Sequence, residues 1–443
     1  MEVSLMQVLD ARERRVKRQK ELLRQYGKPL LCFTMNIAGP VKISPLIRRG
    51  FLAGRNALEK GLPPGVVTRI EITEEVTGFE AIYVVDMEPT ALKTVAAAIE
   101  DSHGLGRLFD MDVIGTDFRK LDREEVGGGS RNCIVCGAPG RGCASRRVHS
   151  VEQLQKATRD ILEGYFRERD AVRIGELAVQ SLLAEAETTP KPGLVDCRNS
   201  GSHGDMDIST FRASAHALRD YFPACVRTGM EGGAPQETFR QLRQLGLRAE
   251  RDMYAATAGV NTHKGAIFTM GILCGAAGRL WKPEGTWNAD EIFRETASMT
   301  REAMEEDFRK GGDTAGFRLY GEFGVRGIRG EVAEGLPSVA KLGLPAYQRA
   351  LERFGNKNAA GVHTLLMLIA NVLDTNMLKR GGRELAEAAA EKCGDLLARD
   401  YSLSEVEGLD AWFVERNLSP GGCADLLAAV YFIHELLQPD DDQ

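Results

Sequence analysis

Apolar residues change their spacing near residue 170, and this change divides the chain into two parts. The first part alternates short apolar runs with amphipathic segments, as in the predicted strand at 29–37 and the helix that follows Ser44 and Pro45. From about Val172 onward, strand signals nearly vanish and helical periods dominate. A chain of 443 residues also exceeds what one hydrophobic core usually organises. We therefore predict two domains: an N-terminal α/β domain with a mixed sheet over residues 1–168, and an all-α helical domain over 169–443.

Caps and periodicity give the expected bounds of the elements. The first domain should begin with a helix that carries Leu9, Val16 and Leu23 on one face, because these residues are seven apart. Its remaining elements are predicted at 45–58 and 90–104 for helices and at 66–72, 79–86 and 107–114 for strands. Helices of the second domain are predicted at 209–228, 235–257, 264–280, 289–309, 359–378, 383–399 and 421–437.

Composition narrows the class of protein. No apolar run approaches the ~20 residues that cross a bilayer, and the charged stretch at 11–20 lacks the apolar segment of a secretory signal. Nine cysteines, an odd number, do not suggest a disulfide framework. A net charge of −6 argues against a nucleic-acid partner. We expect a cytoplasmic protein with no membrane or nucleic-acid partner. The basic stretch either meets an acidic protein or phosphates, or is a solvated helix face.

The segment Gly106–Val113 places two carboxylates on one side of a predicted strand. Asp110 and Asp112 are two residues apart, so they project to the same face, and the apolar residues beside them project to the other. Mg²⁺ usually binds through one or two carboxylates plus substrate phosphates. The pattern therefore predicts a magnesium site for phosphoryl or nucleotidyl transfer. The alternative is two solvated acids on an exposed strand face.

Four metal-ligand side chains follow this strand. Cys133, Cys136, Cys143 and His149 have the spacing C-x2-C-x6-C-x5-H, which supplies the ligands of a structural zinc site. Reduced cysteines that pack locally, or a cluster that contacts substrate, are the alternatives.

The first 168 residues resemble one enzyme family. The resemblance lies in C-F-T-M-N-I-A-G-P-V-K at 32–42, S-P-L-I-R-R-G-F at 44–51, the G-R-L-F-D-M-D-V strand and the Cys/His segment. These motifs are similar to apo-citrate lyase phosphoribosyl-dephospho-CoA transferase. The resemblance implies that a serine of the citrate lyase acyl carrier protein, the γ subunit, attacks the α-phosphate of a triphosphoribosyl-dephospho-CoA and that pyrophosphate leaves. It further implies Mg²⁺ on Asp110 and Asp112, and phosphate contacts from Lys42, Arg107, Arg48 and Arg49, the last two with plain surface charge as the alternative.

Two polar loops open the second domain. Lys191 lies between two prolines, which restrict the backbone of the loop. This favours a fixed position for Lys191 over that of a mobile surface charge. His203, Asp205 and Asp207 lie within five residues just before a predicted helix. A metal phosphohydrolase is one reading of that cluster, but Gly204 separates His203 from Asp205, which weakens it.

Further loops carry residues suited to phosphate binding. Asn261, His263 and Lys264 lie between glycines directly before a predicted helix, where a helix N-terminus favours anions. His263 is a candidate acid or base, although a lone loop histidine is more often structural. Candidates for phosphate or nucleotide contacts in two later glycine-rich loops are Arg326, Arg329, Ser419, Gly421 and Gly422.

These loops together are similar to triphosphoribosyl-dephospho-CoA synthase. The motifs are T-P-K-P-G-L-V-D, G-S-H-x-D-M-D, G-V-N-T-H-K-G, L-Y-G-E-F-G-V-R-G-I-R-G-E, D-T-N-M-L-x-R-G-G and L-S-P-G-G-C-A-D-L-L-A. The resemblance implies that a ribose 2′-hydroxyl of 3′-dephospho-CoA displaces adenine from C1′ of ATP. Such a reaction needs cationic side chains that bind the phosphate groups. Our candidates for these are Lys191, Lys264, Arg326 and Arg329. The reaction also needs charge stabilisation or Mg²⁺ at Asp205 and Asp207, and proton transfer by His203 or His263.

The sequence predicts a bifunctional transferase whose halves catalyse consecutive steps. One alternative is the same chemistry for a malonate decarboxylase carrier protein. Another is a non-catalytic assembly factor for citrate lyase.

Overall fold

The computed structural model describes residues 2–312 and 315–439. Contacts divide the chain into two units, and the division falls between Phe166 and Arg167. The first unit contains residues up to Phe166 and the short segment 283–285, and the second contains Arg167–Lys282 and Thr286–Gln438. The predicted α/β and all-α classes are both confirmed. The outermost positions of the two predicted domains, Met1 and 440–443, lie outside the described residues.

The first unit is built on a five-stranded sheet with the order β2-β3-β1-β4-β5. Its elements are α1 (Leu5–Tyr26), β1 (Leu30–Met35), α2 (Pro45–Gly61), β2 (Val67–Glu75), β3 (Gly78–Val85), α3 (Pro89–Ser102), β4 (Phe109–Ile114), β5 (Lys120–Leu121), α4 (Gly140–Ser145) and the start of α5 (Val151–Glu187).

The prediction of a mixed sheet is wrong, because every recorded strand pair is antiparallel. The crossovers through α2 and α3 do connect parallel strands, as strand–helix alternation suggests. In each case a third strand is inserted between the connected pair, so neighbours run in opposite directions. This is the split β-α-β arrangement of ferredoxin-like folds.

The two faces of this sheet have different partners. Phe33 stacks on Phe51 of α2 at a ring-centroid distance of 5.1 Å, and Phe109 meets Phe33 edge-on at 5.3 Å. The opposite face packs on α1 through Leu22 and Leu23. Leu9 and Val16, predicted on one helical face with Leu23, are exposed, so only the C-terminal turns of α1 enter this core.

The outer edge of β4 is closed along its length by groups of different kinds. Arg131 Nη1 donates to the Phe109 carbonyl at 2.7 Å. At Met111, the backbone N–H donates to Glu100 Oε1 and the carbonyl accepts from Lys93 Nζ, both at 2.9 Å. Val113 pairs with Leu121 of β5. The backbone groups that a strand edge normally exposes are therefore satisfied here.

Every regular element in the described part of the second unit is a helix, including a short π-helix at Ser338–Gly343. Its α-helices are the rest of α5, α6 (Ile208–Ala217), α7 (Tyr221–Met230), α8 (Pro235–Ala256), α9 (Lys264–Arg279), α10 (Ala289–Lys310), α11 (Ala315–Phe323), α12 (Gly327–Ala333), α13 (Leu344–Phe354), α14 (Lys357–Asn371), α15 (Thr375–Leu397), α16 (Leu403–Glu415) and α17 (Gly421–Leu436). The helices α9, α14, α15 and α17 contribute more buried apolar residues to its core than its other helices do.

Two helix boundaries differ from the sequence prediction. The helix predicted at 209–228 is two helices, because the chain turns between Ala217 and Tyr221. The helix predicted at 359–378 is interrupted before Thr375, where the Asp374 carboxylate caps α15. The break predicted between residues 378 and 383 is found at Gly382, whose backbone is not helical (φ 73°) and which separates two helical stretches within α15.

Within the described residues, no single helix is both long and apolar enough to cross a membrane. Lys357–Asn371 and Thr375–Leu397 pass that test only as a pair bent by 58°.

Candidate active sites

A cavity of about 520 Å³ lies between α1 and the polar half of the sheet in the first unit. Its floor contains one cross-strand row in which Thr73, Glu80, Thr34 and Asp110 are successive partners. The row follows from register, because each of these residues has the same side-chain direction on its strand. Only Asp110 of this row was selected from sequence. The other three come from strands whose pairing the sequence does not show.

Asp110 and Asp112 lie on one sheet face, as their spacing predicts. They are half-buried, and Phe109, Met111 and Val113 between and beside them are buried. The two carboxylates differ in their partners: Asp112 Oδ2 accepts from Lys120 Nζ at 2.5 Å, and Asp110 lines the cavity. Burial, and then the charge of Asp112, raise the pKa of Asp110. A bound cation would therefore offset the negative charge of the two carboxylates, which Lys120 balances only in part.

Cations surround this cavity on the side of α1. Arg18 holds Glu71 with two hydrogen bonds of 2.7 and 2.8 Å, and Arg15 pairs with Glu80. The basic stretch at 11–20 is therefore partly a partner of the acidic sheet face. Lys42 also lines the cavity, where burial and Arg12 lower its pKa.

A second cleft, of about 360 Å³, shares Asn36 with this cavity. It is lined by Arg107, Arg123 and Arg131. Burial, and then the charges of the other two arginines, lower the pKa of Arg107. Such a group of cations suits phosphate oxygens. Arg49 has a different environment, since its guanidinium lies over the ring of Phe166 at 4.2 Å, and Arg48 pairs with Glu74 at 3.3 Å.

The predicted zinc ligands come together in the structure. One ligand atom from each of Cys133, Cys136, Cys143 and His149 lies within 4.8 Å of all the others. Cys136 Sγ is 3.5 Å from Cys143 Sγ and 3.3 Å from His149 Nε2. The sulfur–sulfur distance excludes a disulfide in this structure.

A cavity of about 910 Å³ lies in the second unit. It collects residues from every polar loop singled out in the sequence of this domain. The predicted residues that line it are Lys191, His203, Asp205, Asn261, His263, Lys264, Arg326, Ser419, Gly421 and Gly422.

His203 is held in one tautomer by its neighbours. Arg380 Nη2 lies 3.3 Å from its Nδ1, and because a guanidinium only donates, Nδ1 must be the acceptor. Nε2 therefore carries the proton and donates to Ser419 Oγ at 2.9 Å. Burial, and then the charge of Arg380, lower the pKa of His203. The histidine is neutral at pH 7, and its acceptor nitrogen is already used.

His263 is also neutral. Thr262 donates to Ser214 Oγ at 2.7 Å, and the Ser214 hydroxyl, 2.7 Å from His263 Nδ1, can donate its own hydrogen to that nitrogen. In that tautomer the imidazole proton is on Nε2, a buried atom that has no hydrogen-bond partner among the described residues. Burial, and then the charge of Lys191, lower the pKa of His263 to about 3. With that tautomer, the cavity wall contains an N–H donor for which none of the described side chains or backbone groups is a partner.

Asp374 and Asp425, two carboxylates of this cavity, were not selected as site residues from the sequence. The Asp374 carboxylate accepts hydrogen bonds from the backbone N–H groups of Asn376 and Cys423, at 2.7 and 2.8 Å. These two donors lie at the starts of α15 and α17. Asp425 is half-buried against the start of α9, and loss of solvation and then the charge of Glu185 raise its pKa well above its ordinary range. Asp374 and Asp425 belong to the motifs D-T-N and C-A-D quoted above. They were not selected because an acidic residue near the start of a helix commonly has a capping role.

The close approach of these helices requires glycine at particular positions. A Cβ at Gly265 would overlap Oδ2 of Asp425. Gly421 and Gly422 similarly have no room for a side chain, because Asn376 and Asp374 lie against them. These glycines therefore bring the starts of α9, α15 and α17 to the cavity.

Some predicted residues have other contacts. Asp207 caps α6 and accepts from Thr210 and Ser209, and it does not line the cavity beside Asp205. Arg329 lies outside the cavity lining, and burial lowers its pKa. Lys191 Nζ is bonded to Glu185. Lys264 and Arg326 line the cavity and pair with Glu250 and Glu334 at 2.8 and 3.2 Å.

Comparison with known proteins covers both units. The family model described as apo-citrate lyase phosphoribosyl-dephospho-CoA transferase matches residues 3–165, and that described as ATP:dephospho-CoA triphosphoribosyl transferase matches 171–443. Protein CitXG of Leuconostoc mesenteroides subsp. cremoris is 32% identical over 98% of this chain and 97% of its own length. Protein CitXG of Haemophilus influenzae is 32% identical over 97% and 96%. A probable 2-(5''-triphosphoribosyl)-3'-dephosphocoenzyme-A synthase of Vibrio cholerae is 41% identical over 60% of this chain and 88% of its own length. The chain belongs to both families and is a bifunctional transferase, with the citrate lyase transferase first and the triphosphoribosyl transferase second.

Proposed function

We propose that the second unit joins ATP and 3′-dephospho-CoA with release of adenine, and that the first unit transfers phosphoribosyl-dephospho-CoA to a serine of the γ subunit, the citrate lyase acyl carrier protein. The first product is 2′-(5″-triphosphoribosyl)-3′-dephospho-CoA. In the second step the serine hydroxyl attacks its α-phosphate, and pyrophosphate leaves. The observation that carries the proposal is the convergence of the polar loops of the second unit on one cavity of about 910 Å³.

The composition of this cavity suits displacement of a purine from a ribose. Departure of adenine builds positive charge on the ribose ring, and nearby carboxylates stabilise that charge. Asp205, Glu331 and Asp425 line the cavity. Burial raises the pKa of Glu331 and of Asp425, which brings a carboxyl group closer to the range of a general base. Lys264, Lys379 and Arg380 would contact the triphosphate.

His203 and His263 have roles in this proposal that differ from the proton transfer expected from the sequence. Neither is suited to accept the hydroxyl proton, because His203 Nδ1 is already an acceptor from Arg380 and His263 Nδ1 from Ser214. His263 Nε2 would instead donate a hydrogen bond to the substrate. We therefore assign the base role to a carboxylate of the cavity.

In the first unit, Asp110 is the central group. Its carboxylate lines the cavity and receives no hydrogen bond recorded among the described residues. That carboxylate, with Asp112 beside it, fits a magnesium ion, since Mg²⁺ takes one or two protein carboxylates and substrate phosphates. Bound there, the ion would offset the charge of the leaving pyrophosphate. Lys42, and Arg107 in the neighbouring cleft, would hold phosphate oxygens.

The test is mass spectrometry of apo-carrier protein incubated with the full chain, ATP, Mg²⁺ and 3′-dephospho-CoA. We expect a mass gain equal to one phosphoribosyl-dephospho-CoA on one serine, together with free adenine. Asp110→Asn should abolish the mass gain and leave adenine release unchanged. Asp117→Asn is the matched control, because Asp117 lies on an exposed turn beside β5.

The outcomes separate the alternatives. Adenine release without modification of a competent carrier would contradict the transferase half. Modification of a malonate decarboxylase carrier, but not the citrate lyase carrier, would assign the same chemistry to another enzyme. Neither adenine nor modification would favour an assembly factor.

A further inference from the structure

Residues 131–149 form a compact loop around the Cys/His cluster. The Cys133 N–H donates to the Ala138 carbonyl at 2.7 Å, and the Gly137 N–H donates to the Cys133 carbonyl at 3.0 Å. Gly137 adopts a φ of 71°, which glycine accommodates without a Cβ clash. The two flanking residues Asn132 and Pro139 form an isolated antiparallel bridge. This tight turn presents Cys133 and Cys136 toward one point.

The distances at that point match one tetrahedral ion. With Zn–S bonds of about 2.3 Å, two thiolates on one zinc ion are about 3.8 Å apart. Cys136 Sγ and Cys143 Sγ are 3.5 Å apart, and His149 Nε2 is 3.3 Å from Cys136 Sγ. Three sulfurs and one imidazole are a closed structural set, with no position left for substrate.

The loop also contacts the machinery of the first unit. Arg131, two residues before Cys133, donates to the carbonyls of Phe109 and Gly106, at the start of the strand that carries Asp110. Ile134, inside the turn, lines the cavity that contains Asp110. At the other end, His149 directly precedes the Ser150 cap of α5, where Ser150 and Gln153 exchange hydrogen bonds.

We propose that Cys133, Cys136, Cys143 and His149 bind one zinc ion, which folds residues 131–149 and thereby holds Arg131 against β4 beside Asp110. The ion is structural and takes no part in the reaction. Small loops with little apolar core commonly depend on such an ion for their fold. Arg131 is a positioning residue, because it acts on the backbone of β4 and through it on Asp110.

The first test is the metal itself. The full chain, purified without chelator, should contain one zinc per chain by elemental mass spectrometry. Cobalt substitution should give the absorption of a tetrahedral thiolate site. Cys143→Ala should lose the metal, whereas Cys197→Ala should retain it, because Cys197 is an exposed cysteine of the second unit.

A rescue variant separates ligation from simple loss of folding. His149→Ala should lose zinc, and His149→Cys should keep it, since four cysteines also form structural zinc sites. Zinc bound equally well by wild type and Cys143→Ala would overturn the proposal. So would a wild-type chain that stays free of zinc after reconstitution, or one in which Cys136 and Cys143 are joined and the chain is lighter by two hydrogens.

The second test concerns position, and this part rests on the proposed function. Loss of zinc should reduce carrier modification by at least about tenfold, as loss of supporting contacts at a site typically does. Adenine release by the same molecules should stay unchanged, which excludes global unfolding. Unchanged modification in zinc-free protein would overturn the positioning role. If wild type binds zinc but modifies no carrier, the proposed function fails and the metal site stands.

Discussion

Lys191 Nζ lies 2.6 Å from Glu185 Oε1, and both side chains are buried in the wall of the larger cavity. The lysine also donates to the Glu185 carbonyl at 2.7 Å, and its backbone N–H donates to Asp196. A buried ion pair is costly to break because the remaining charge loses its partner. Lys191 was expected to contact phosphate, but in the structure its charge is paired with the buried carboxylate of Glu185.

Lys191→Met should therefore destabilise the second unit by about 3–5 kcal/mol. The midpoint of chemical unfolding, followed by tryptophan fluorescence, measures this unit alone, since Trp281, Trp287 and Trp412 all belong to it. Lys357→Met is the control: its pair with Glu435 is exposed, so the change should cost less than about 1 kcal/mol. Equal effects of the two variants would contradict a buried pair.

The transfer reaction should be lost as pH falls through the raised pKa of Asp110, because only the ionised carboxylate can bind a cation. The positive charge of Lys120 lowers that pKa. Lys120→Gln should therefore raise it further and move the acid limb of carrier modification to higher pH. Arg119→Gln, a change in the same loop at a residue paired with Glu125, should leave the limb in place. An unmoved limb in Lys120→Gln would show that Asp110 does not control it.

His263 should make the second unit less stable in acid. Its pKa is about 3 in the folded protein and about 6.5 when unfolded. Between these values the unfolded chain binds the extra proton, so stability rises with pH across that window. From pH 7 to pH 5 the loss from this group is about 2 kcal/mol.

The test compares how strongly stability depends on pH, since other histidines also contribute. His263→Gln should weaken the dependence between pH 5 and 7, measured by the tryptophan unfolding midpoint. His216→Gln, at an exposed position on α6, should preserve the wild-type dependence. Identical slopes in all three proteins would mean that His263 takes up a proton as easily folded as unfolded.

Gly265→Ala should impair adenine release by about a hundredfold, because the added methyl group must displace the Asp425 carboxylate or the start of α9. Gly408→Ala is the matched control. Gly408 lies on the exposed side of α16, and an added Cβ there meets nothing within 4 Å. That change should stabilise the protein slightly, since alanine favours a helix over glycine. Full activity in Gly265→Ala would remove Asp425 from the proposed machinery.

Local signals predicted most elements of this fold. Ser44 and Pro45 begin α2 as expected, and the alternation around Asp110 and Asp112 gives the correct faces of β4. Strand order was not predictable in the same way. Helical crossovers suggested parallel neighbours, but whether a third strand is inserted between them depends on long-range packing that no single segment encodes.

For the candidate sites too, local signals were readable from the sequence and long-range packing was not. Loops rich in glycine and polar residues were found from the sequence, and the structure gathers their residues at one cavity. Asp374 and Asp425 were missed as site residues because they lie at helix starts, where an acid is ordinary. Only the packing of α9, α15 and α17 against one another shows that both acids line a cavity.

The sealed outer edge of β4 has a consequence for how a carrier protein can be recognised. An open edge would let a partner add its own backbone as another strand. Arg131, Glu100 and Lys93 already occupy those hydrogen-bonding positions along Phe109 and Met111. A carrier cannot extend the sheet at these positions, so contacts that it makes with this edge, beside Asp110, must come from side chains. Surface substitutions at this edge can therefore change specificity without altering strand pairing.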